Sequence, residues 1–180
     1  MHKKPYTNPR EWAKFLHLFK RKEVPARTIL LNEGEISKAM FFIETGCLRT
    51  FFDNNGTDIT TQFFFEGDSV SSFESFRTKQ PSLYSIESLE PSTLLSISQK
   101  DFQSIIDASP VIKKEMEEHL FRRLIHCQQF CVSHLKYNPK ERYEELLRHQ
   151  PRIIQRVPQH YIASYLGITP VSLSRIRNRR

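Results

Sequence analysis

After Glu145 the chain carries seven arginines (Arg148, Arg152, Arg156, Arg175, Arg177, Arg179 and Arg180) and neither a lysine nor a carboxylate side chain. The other 20 basic residues are matched by 20 acids, so the whole formal excess of +7 lies in the C-terminal fifth. Guanidinium groups concentrated in this way suit phosphate oxygens, and they are the electrostatic footprint of a nucleic-acid binder. A basic tail or a solvating face is the plainer reading, and the apolar residues between the arginines decide against it.

Residues 158–180 read PQHYIASYLGITPVSLSRIRNRR. Pro158 opens a helix whose buried side is Ile162, Ala163 and Leu166. Gly167 takes the left-handed position that ends it. Ile168 fills the corner, and Thr169-Pro170 caps and opens a second helix with Leu173 and Ile176 facing inward. A small residue where two helices cross, a glycine four later and an apolar anchor ten later are the requirements of a helix-turn-helix. The outer face then presents Thr169, Val171, Ser172, Arg175, Asn178 and Arg179 to a major groove. There an arginine pairs bidentately with guanine, and a methyl-bearing side chain touches thymine. Arg148, Arg152 and Arg156 are placed to contact the phosphate backbone. The expected partner is double-stranded DNA.

Other chemistry is thinly represented. Cys127, Cys131 and His134 recur at i, i+4 and i+7, and in a dimer they could approach their symmetry mates as a metal site or a redox-sensitive disulfide. Without a ligand-spacing signature, small cysteines packing a helix seam are the preferred reading, and no metal and no cofactor is expected. The sequence has no nucleophile elbow, P-loop or zinc-protease motif, and its histidines lack triad neighbours. The strand region has no histidine between His17 and His119 to hold a metal, which counts against a cupin-type enzyme. No enzymatic activity is expected. Three cysteines are an odd number for a disulfide framework, no signal-like apolar stretch follows Met1, and no apolar run has membrane-spanning length. The expectation is a cytoplasmic protein.

The elements that would position these residues fall in two parts. Gly34, Gly46, Gly56 and Gly67 punctuate segments of strand character at 28–31, 40–43, 48–52 and 59–65, with further strands at 83–89 and 93–98 after a polar loop at 68–82. Asp53-Asn54-Asn55-Gly56 supplies a hairpin turn. Ten of the fourteen phenylalanines lie between Phe41 and Phe102, enough for an aromatic core. Short strands with a turn signal every 8–12 residues read as a sandwich or barrel.

From Ser98 the periodicity becomes helical, with a weak capping box at Ser98–Asp101 and a second start at Ser109-Pro110. Nothing breaks the helix from Val111 to Tyr137. Its apolar positions, Ile112, Met116, Leu120, Leu124, Cys127, Cys131 and Leu135, recur by threes and fours, longer than one small β-domain covers. A homodimer through helix 110–137 fits them, and packing wholly within one chain is the alternative. Asn138-Pro139-Lys140-Glu141 stops this helix and caps the next, and Pro151 ends that one.

Taken together, Gly34-Glu35, the run Met40 to Gly46 (MFFIETG), the long helix and ASYLGITPVSLSRIR resemble the Crp/Fnr family of bacterial transcription regulators over nearly the whole chain. The resemblance implies an α+β chain. It has an N-terminal double-stranded β-helix, the jelly-roll-like, cyclic-nucleotide-binding type of β-roll, as sensor at 1–108. A dimerisation helix follows at 109–137 and a winged-type helix-turn-helix at 138–180. Arg175 falls where the family contacts bases, whereas Pro170-Val171 replace polar base readers of some members, implying a different operator. No wing can follow the recognition helix in a chain ending at Arg180, so 151–157 is the one segment that could supply it. RNA polymerase is a further partner if the protein activates.

Cyclic-nucleotide sensors of the family use a glycine-glutamate pair for the ribose and an Arg-Ser/Thr-Ala cluster for the phosphate. Here Gly67-Asp68 approximates the first, while Arg77-Thr78 and Ser82-Leu83 each give only part of the second. An effector pocket at Gly67, Asp68, Arg77 and Ser82 is therefore expected to take an unknown small effector, or none, rather than cAMP. The competing reading is a ligand-binding β-barrel module whose C-terminal helices dock a protein partner.

Overall fold

In the computed structural model, which describes residues 8–178, eight short strands form two four-stranded sheets. They are β1 Lys20–Val24, β2 Ile29–Leu31, β3 Ala39–Thr45, β4 Leu48–Asn54, β5 Thr57–Phe64, β6 Ser69–Val70, β7 Ser85–Ser88 and β8 Ser92–Ser98. The sheet orders are β1-β8-β3-β6 and β2-β7-β4-β5. Strands consecutive in the chain mostly alternate between the sheets, as in a β-roll. Strand periodicity splits the apolar residues of β3 between two cores. Phe41 and Ile43 join Leu31, Leu48, Phe64, Val70, Ile86 and Leu94. Met40 and Phe42 instead meet Trp12, Phe76, Ile97, Ile105, Ile112 and Met116.

In the N-terminal half, two strands and two α-helices were not evident in the sequence. The charged stretch Lys20–Val24 pairs antiparallel with β8, and Ser69–Val70 pairs with β3. Helix α1, Pro9–Ala13, starts at an Asn8 cap, and α2, Phe73–Thr78, interrupts what read as a polar loop.

Local chemistry accounts for the turns. Between β4 and β5, Asn55 and Gly56 have φ of 53° and 82°, and the Gly56 N–H donates to Asp53 Oδ2 at 3.2 Å. Two successive positive φ values are what a type I′ hairpin requires. Gly46 has φ of 112°, and a Cβ added there would lie 2.8 Å from the Ser92 Cα. Gly46→Ala therefore forces backbone movement. It is expected to cost more than about 1 kcal/mol of stability, measured by urea unfolding.

Helix α3 spans Gln99–Ala108, capped by Ser98, whose Oγ accepts from the Asp101 N–H at 3.1 Å. The long helix α4 spans Pro110–Lys136, and the Ser109 hydroxyl accepts from the Ile112 N–H. Then come α5 Pro139–His149, α6 Pro151–Arg156, α7 Gln159–Tyr165 and α8 Pro170–Asn178. Helix α5 opens on a reciprocal capping box: Glu141 N–H donates to Asn138 Oδ1, and Asn138 N–H donates to Glu141 Oε2.

The chain packs as two compact units. Among the described residues, one unit comprises 8–50 and 63–122, and the other comprises 51–62 and 123–178. The first half of α4 inserts Ile112 and Met116 into the sheet-and-helix core, so it belongs with the roll. The hairpin tip, by contrast, groups with the C-terminal helices. The segment 151–157 is not a wing either. Pro151 at the first helical position and the buried Ile153 make it helix α6, and no wing is found among the described residues.

Candidate nucleic-acid interface

Helices α7 and α8 are joined by Leu166 to Thr169, where Gly167 has φ of 67°. The Gly167 N–H donates to Ser164 O, and the Ile168 N–H donates to Ala163 O, closing the C-terminus of α7 around the glycine. Ala163 is wholly buried, which allows the close helix crossing, and Ile162, Leu166 and Leu173 are buried with it. Thr169 caps α8: its Oγ1 accepts from the Ser172 N–H at 3.2 Å and donates to Ser172 Oγ. Burying Leu173 turns the opposite side of α8 outward. Thr169, Val171, Arg175 and Asn178 are exposed, and Ser172 is half-buried. Arg179 lies outside the described residues.

The three outlying arginines take up separate stations. Arg148 on α5 is exposed and pairs with Glu145 at 2.8 Å, while Arg152 and Arg156 are half-buried on α6.

Two residues that position this motif escaped the sequence reading. Arg142 of α5 donates through Nε and Nη2 to Leu166 O, at 3.2 and 2.8 Å, and through Nη1 to Tyr137 O at 2.8 Å. A cation on the last carbonyls of α7 satisfies orphan acceptors and complements the helix dipole. His134 sits beside it, its Nδ1 3.0 Å from Phe130 O and its Nε2 3.1 Å from Tyr165 O. Its ring lies 4.1 Å from that of Phe130. Burial pushes the Tyr165 hydroxyl up to about 12, so that group stays neutral. Nothing in the local sequence marks Arg142 or His134, because the carbonyls that tie them to the end of α7, Leu166 O and Tyr165 O, lie 24 and 31 residues away.

His134 sets its two ring nitrogens against the carbonyl oxygens of Phe130 and Tyr165, whereas Cys127 and Cys131 are exposed thiols. The three do not form a cluster, and no group of three or more metal-ligating side chains occurs among the described residues. Cys47 is buried in the strand region.

Among the residues assigned to an effector pocket, each polar side chain makes a hydrogen bond of its own. Gly67 takes a positive φ in a turn where Asp68 Oδ2 accepts from the Phe65 N–H at 2.9 Å. Arg77 is exposed on α2 and donates to Gln103 Oε1 of α3. Ser82 is buried, with its hydroxyl donating to Tyr84 O at 2.6 Å. These bonds tie Asp68 and Ser82 within their own turns and Arg77 to a neighbouring helix.

Residues 21–109, β1 to the end of α3, match the family model of the cyclic nucleotide-binding domain. Beyond the cyclic nucleotide-binding domain, similarity reaches regulators of the Crp/Fnr type, bearing out the resemblance noted above. The chain is 24% identical over 123 residues to the cAMP-activated global transcriptional regulator CRP of Salmonella typhimurium, covering 67% of this chain and 58% of that protein. It is 28% identical over 102 residues to the Pycsar effector protein XpPycTIR of Xanthomonas perforans, covering 57% of this chain and 32% of that one. The matched stretch is thus about a third to somewhat over half the length of these relatives. A solved structure of CLP from Xanthomonas campestris, described as a c-di-GMP responsive global regulator, superposes with a TM-score of 0.78. It covers 96% of this chain and 91% of that one at 16% identity, a likeness of fold that takes in the helical C-terminal part. Among the described residues no helix is long and apolar enough to cross a membrane.

Proposed function

We propose that this protein is a DNA-binding transcription regulator of the Crp/Fnr type, acting as a homodimer and reading its operator through α8. The observation that carries the reading is the outward face of α8. Thr169, Val171, Arg175 and Asn178 stand exposed on a helix anchored by Leu173, in a segment with no carboxylate after Glu145. Arg148, Arg152 and Arg156 supply phosphate contacts that fix register. Relatives that regulate transcription, and a neighbour with the same fold, favour the same use.

Dimerisation through α4 is supported by its second apolar face. Ile112 and Met116 are covered by the protein's own core, whereas Leu120, Phe121, Leu124, Ile125, Val132 and Leu135 are exposed, Leu135 at 89%. With the exposed Cys127 and Cys131 they form a stripe that a second copy would bury. The roll is the natural seat for an effector other than cAMP, since Asp68, Arg77 and Ser82 are each engaged elsewhere. The localisation the reading implies is cytoplasmic.

The test is selection of binders from a random duplex library, followed by salt titrations of the selected site with the native protein and Arg175→Ala. A pseudo-palindromic site, a steep salt slope and a loss of about 1–3 kcal/mol of discrimination in the variant are expected. Enrichment of no sequence, with cAMP and other candidate effectors present or absent, would sink the proposal.

A further inference from the structure

Among the described residues β5 is the end strand of the sheet β2-β7-β4-β5, so one row of its amides and carbonyls faces away from its neighbouring strand. Asp58 and Thr60, two residues apart, turn the same way along that row. Between them sits one oxygen atom from α7. The Thr60 N–H donates to Ser164 Oγ at 2.9 Å, and the Ser164 hydroxyl donates to Asp58 O at 2.7 Å. A hydroxyl can accept one bond and donate another from a single atom, so it bridges the two groups as a neighbouring strand would. Thr60 is 1% exposed, which leaves its amide little water to turn to once the serine oxygen is gone.

Two further features make this more than the covering of an edge. Among the described residues, 51–62 group in one compact unit with 123–178. Ser164 is also the residue whose carbonyl accepts the Gly167 N–H, so the same residue closes the turn of the helix-turn-helix. The hairpin strands run without a break into the roll, where Leu48 and Phe64 are buried core residues.

We infer that Ser164 is a positioning residue, which holds α7 to the edge of β5 and makes the setting of the helix-turn-helix depend on the β4–β5 hairpin. A displacement of β4 and β5 is then passed along the strands to the tip and through one hydroxyl to the helix that carries the turn. The effect on DNA rests on the regulator reading above, whereas the clasp itself does not.

The experiment compares native protein, Ser164→Ala and Ser164→Thr. Residue-resolved amide hydrogen exchange is measured without DNA, and affinity is measured for the selected operator. In the alanine variant, amides of 58–62 and of α7 are expected to exchange at least tenfold faster, with thermal unfolding still cooperative, and operator binding is expected to weaken about tenfold. Threonine, which keeps the hydroxyl, restores both. Unchanged exchange in the alanine variant overturns the clasp whatever the DNA result. Faster exchange confined to the hairpin, or operator affinity equal to or tighter than native, overturns the positioning role. If no duplex is bound by the native protein, the regulator reading fails, and the exchange of α7 alone decides the inference.

Discussion

Arg49→Met is expected to lower the unfolding free energy by about 3–5 kcal/mol. Arg49 on β4 donates through Nε to Glu87 Oε2 on the adjacent β7 at 2.7 Å, with side-chain exposures of 2% and 10%. Strand alternation sets both on the sheet face opposite Leu48 and Ile86, which point into the roll core. Removing the guanidinium leaves the Glu87 carboxylate buried without its partner, and desolvation of that charge is the penalty. Thermal unfolding should report it as a fall of roughly 10 °C for a chain of this size. The double variant Arg49→Met/Glu87→Leu separates charge from packing. It should recover most of the loss, since a buried pair replaced by apolar residues is often neutral or stabilising. A single variant as stable as native would mean that Glu87 reaches water or another donor.

The second large effect is on assembly. Leu124→Glu is expected to weaken a homodimer at least a hundredfold and, with it, binding to a two-half-site operator. Leu124 is 56% exposed at the middle of the uncovered stripe of α4. Burying a leucine is worth about 1.5–3 kcal/mol. The two-fold doubles the loss to roughly 3–6 kcal/mol, and each 1.4 kcal/mol is tenfold in affinity. A carboxylate facing its own copy adds repulsion. Gln129→Glu, about 140° around the helix from Leu124 at about 100° per residue, serves as the control of equal charge. Sedimentation at micromolar concentration distinguishes the two. If native protein and both variants all sediment alike as monomers, α4 is not a dimer seam. If all remain dimers, the interface lies elsewhere.

Much of the architecture was legible because its signals are local. Asn55-Gly56 must turn the chain whatever surrounds it, Ser98, Ser109 and Asn138 cap the residues that follow them, and Gly167 ends α7 by its own backbone freedom. The same holds for the outward residues of α8: once Leu173 is the anchor, helical periodicity alone assigns Val171 and Arg175 to the other side. These features depend on residues within about one turn of each other, and a sequence displays such neighbours directly.

What the tertiary structure decided depends on residues far apart in the chain. The spacing of α4 showed one apolar stripe, whereas packing divides it between an inner face at Ile112 and Met116 and an outer one from Leu120 onward. Strand Lys20–Val24 shows no apolar alternation and exists because β8 offers it a ladder. Arg77 carried the right charge for a phosphate, but helix α2 turns it to Gln103. The ties that position the helix-turn-helix, Arg142 to Leu166 and Ser164 to Asp58 and Thr60, span 24 to 106 residues. An arginine or serine has the same appearance in a sequence whether water or a distant carbonyl receives its hydrogen bond. Only the fold, by excluding the water, selects the carbonyl.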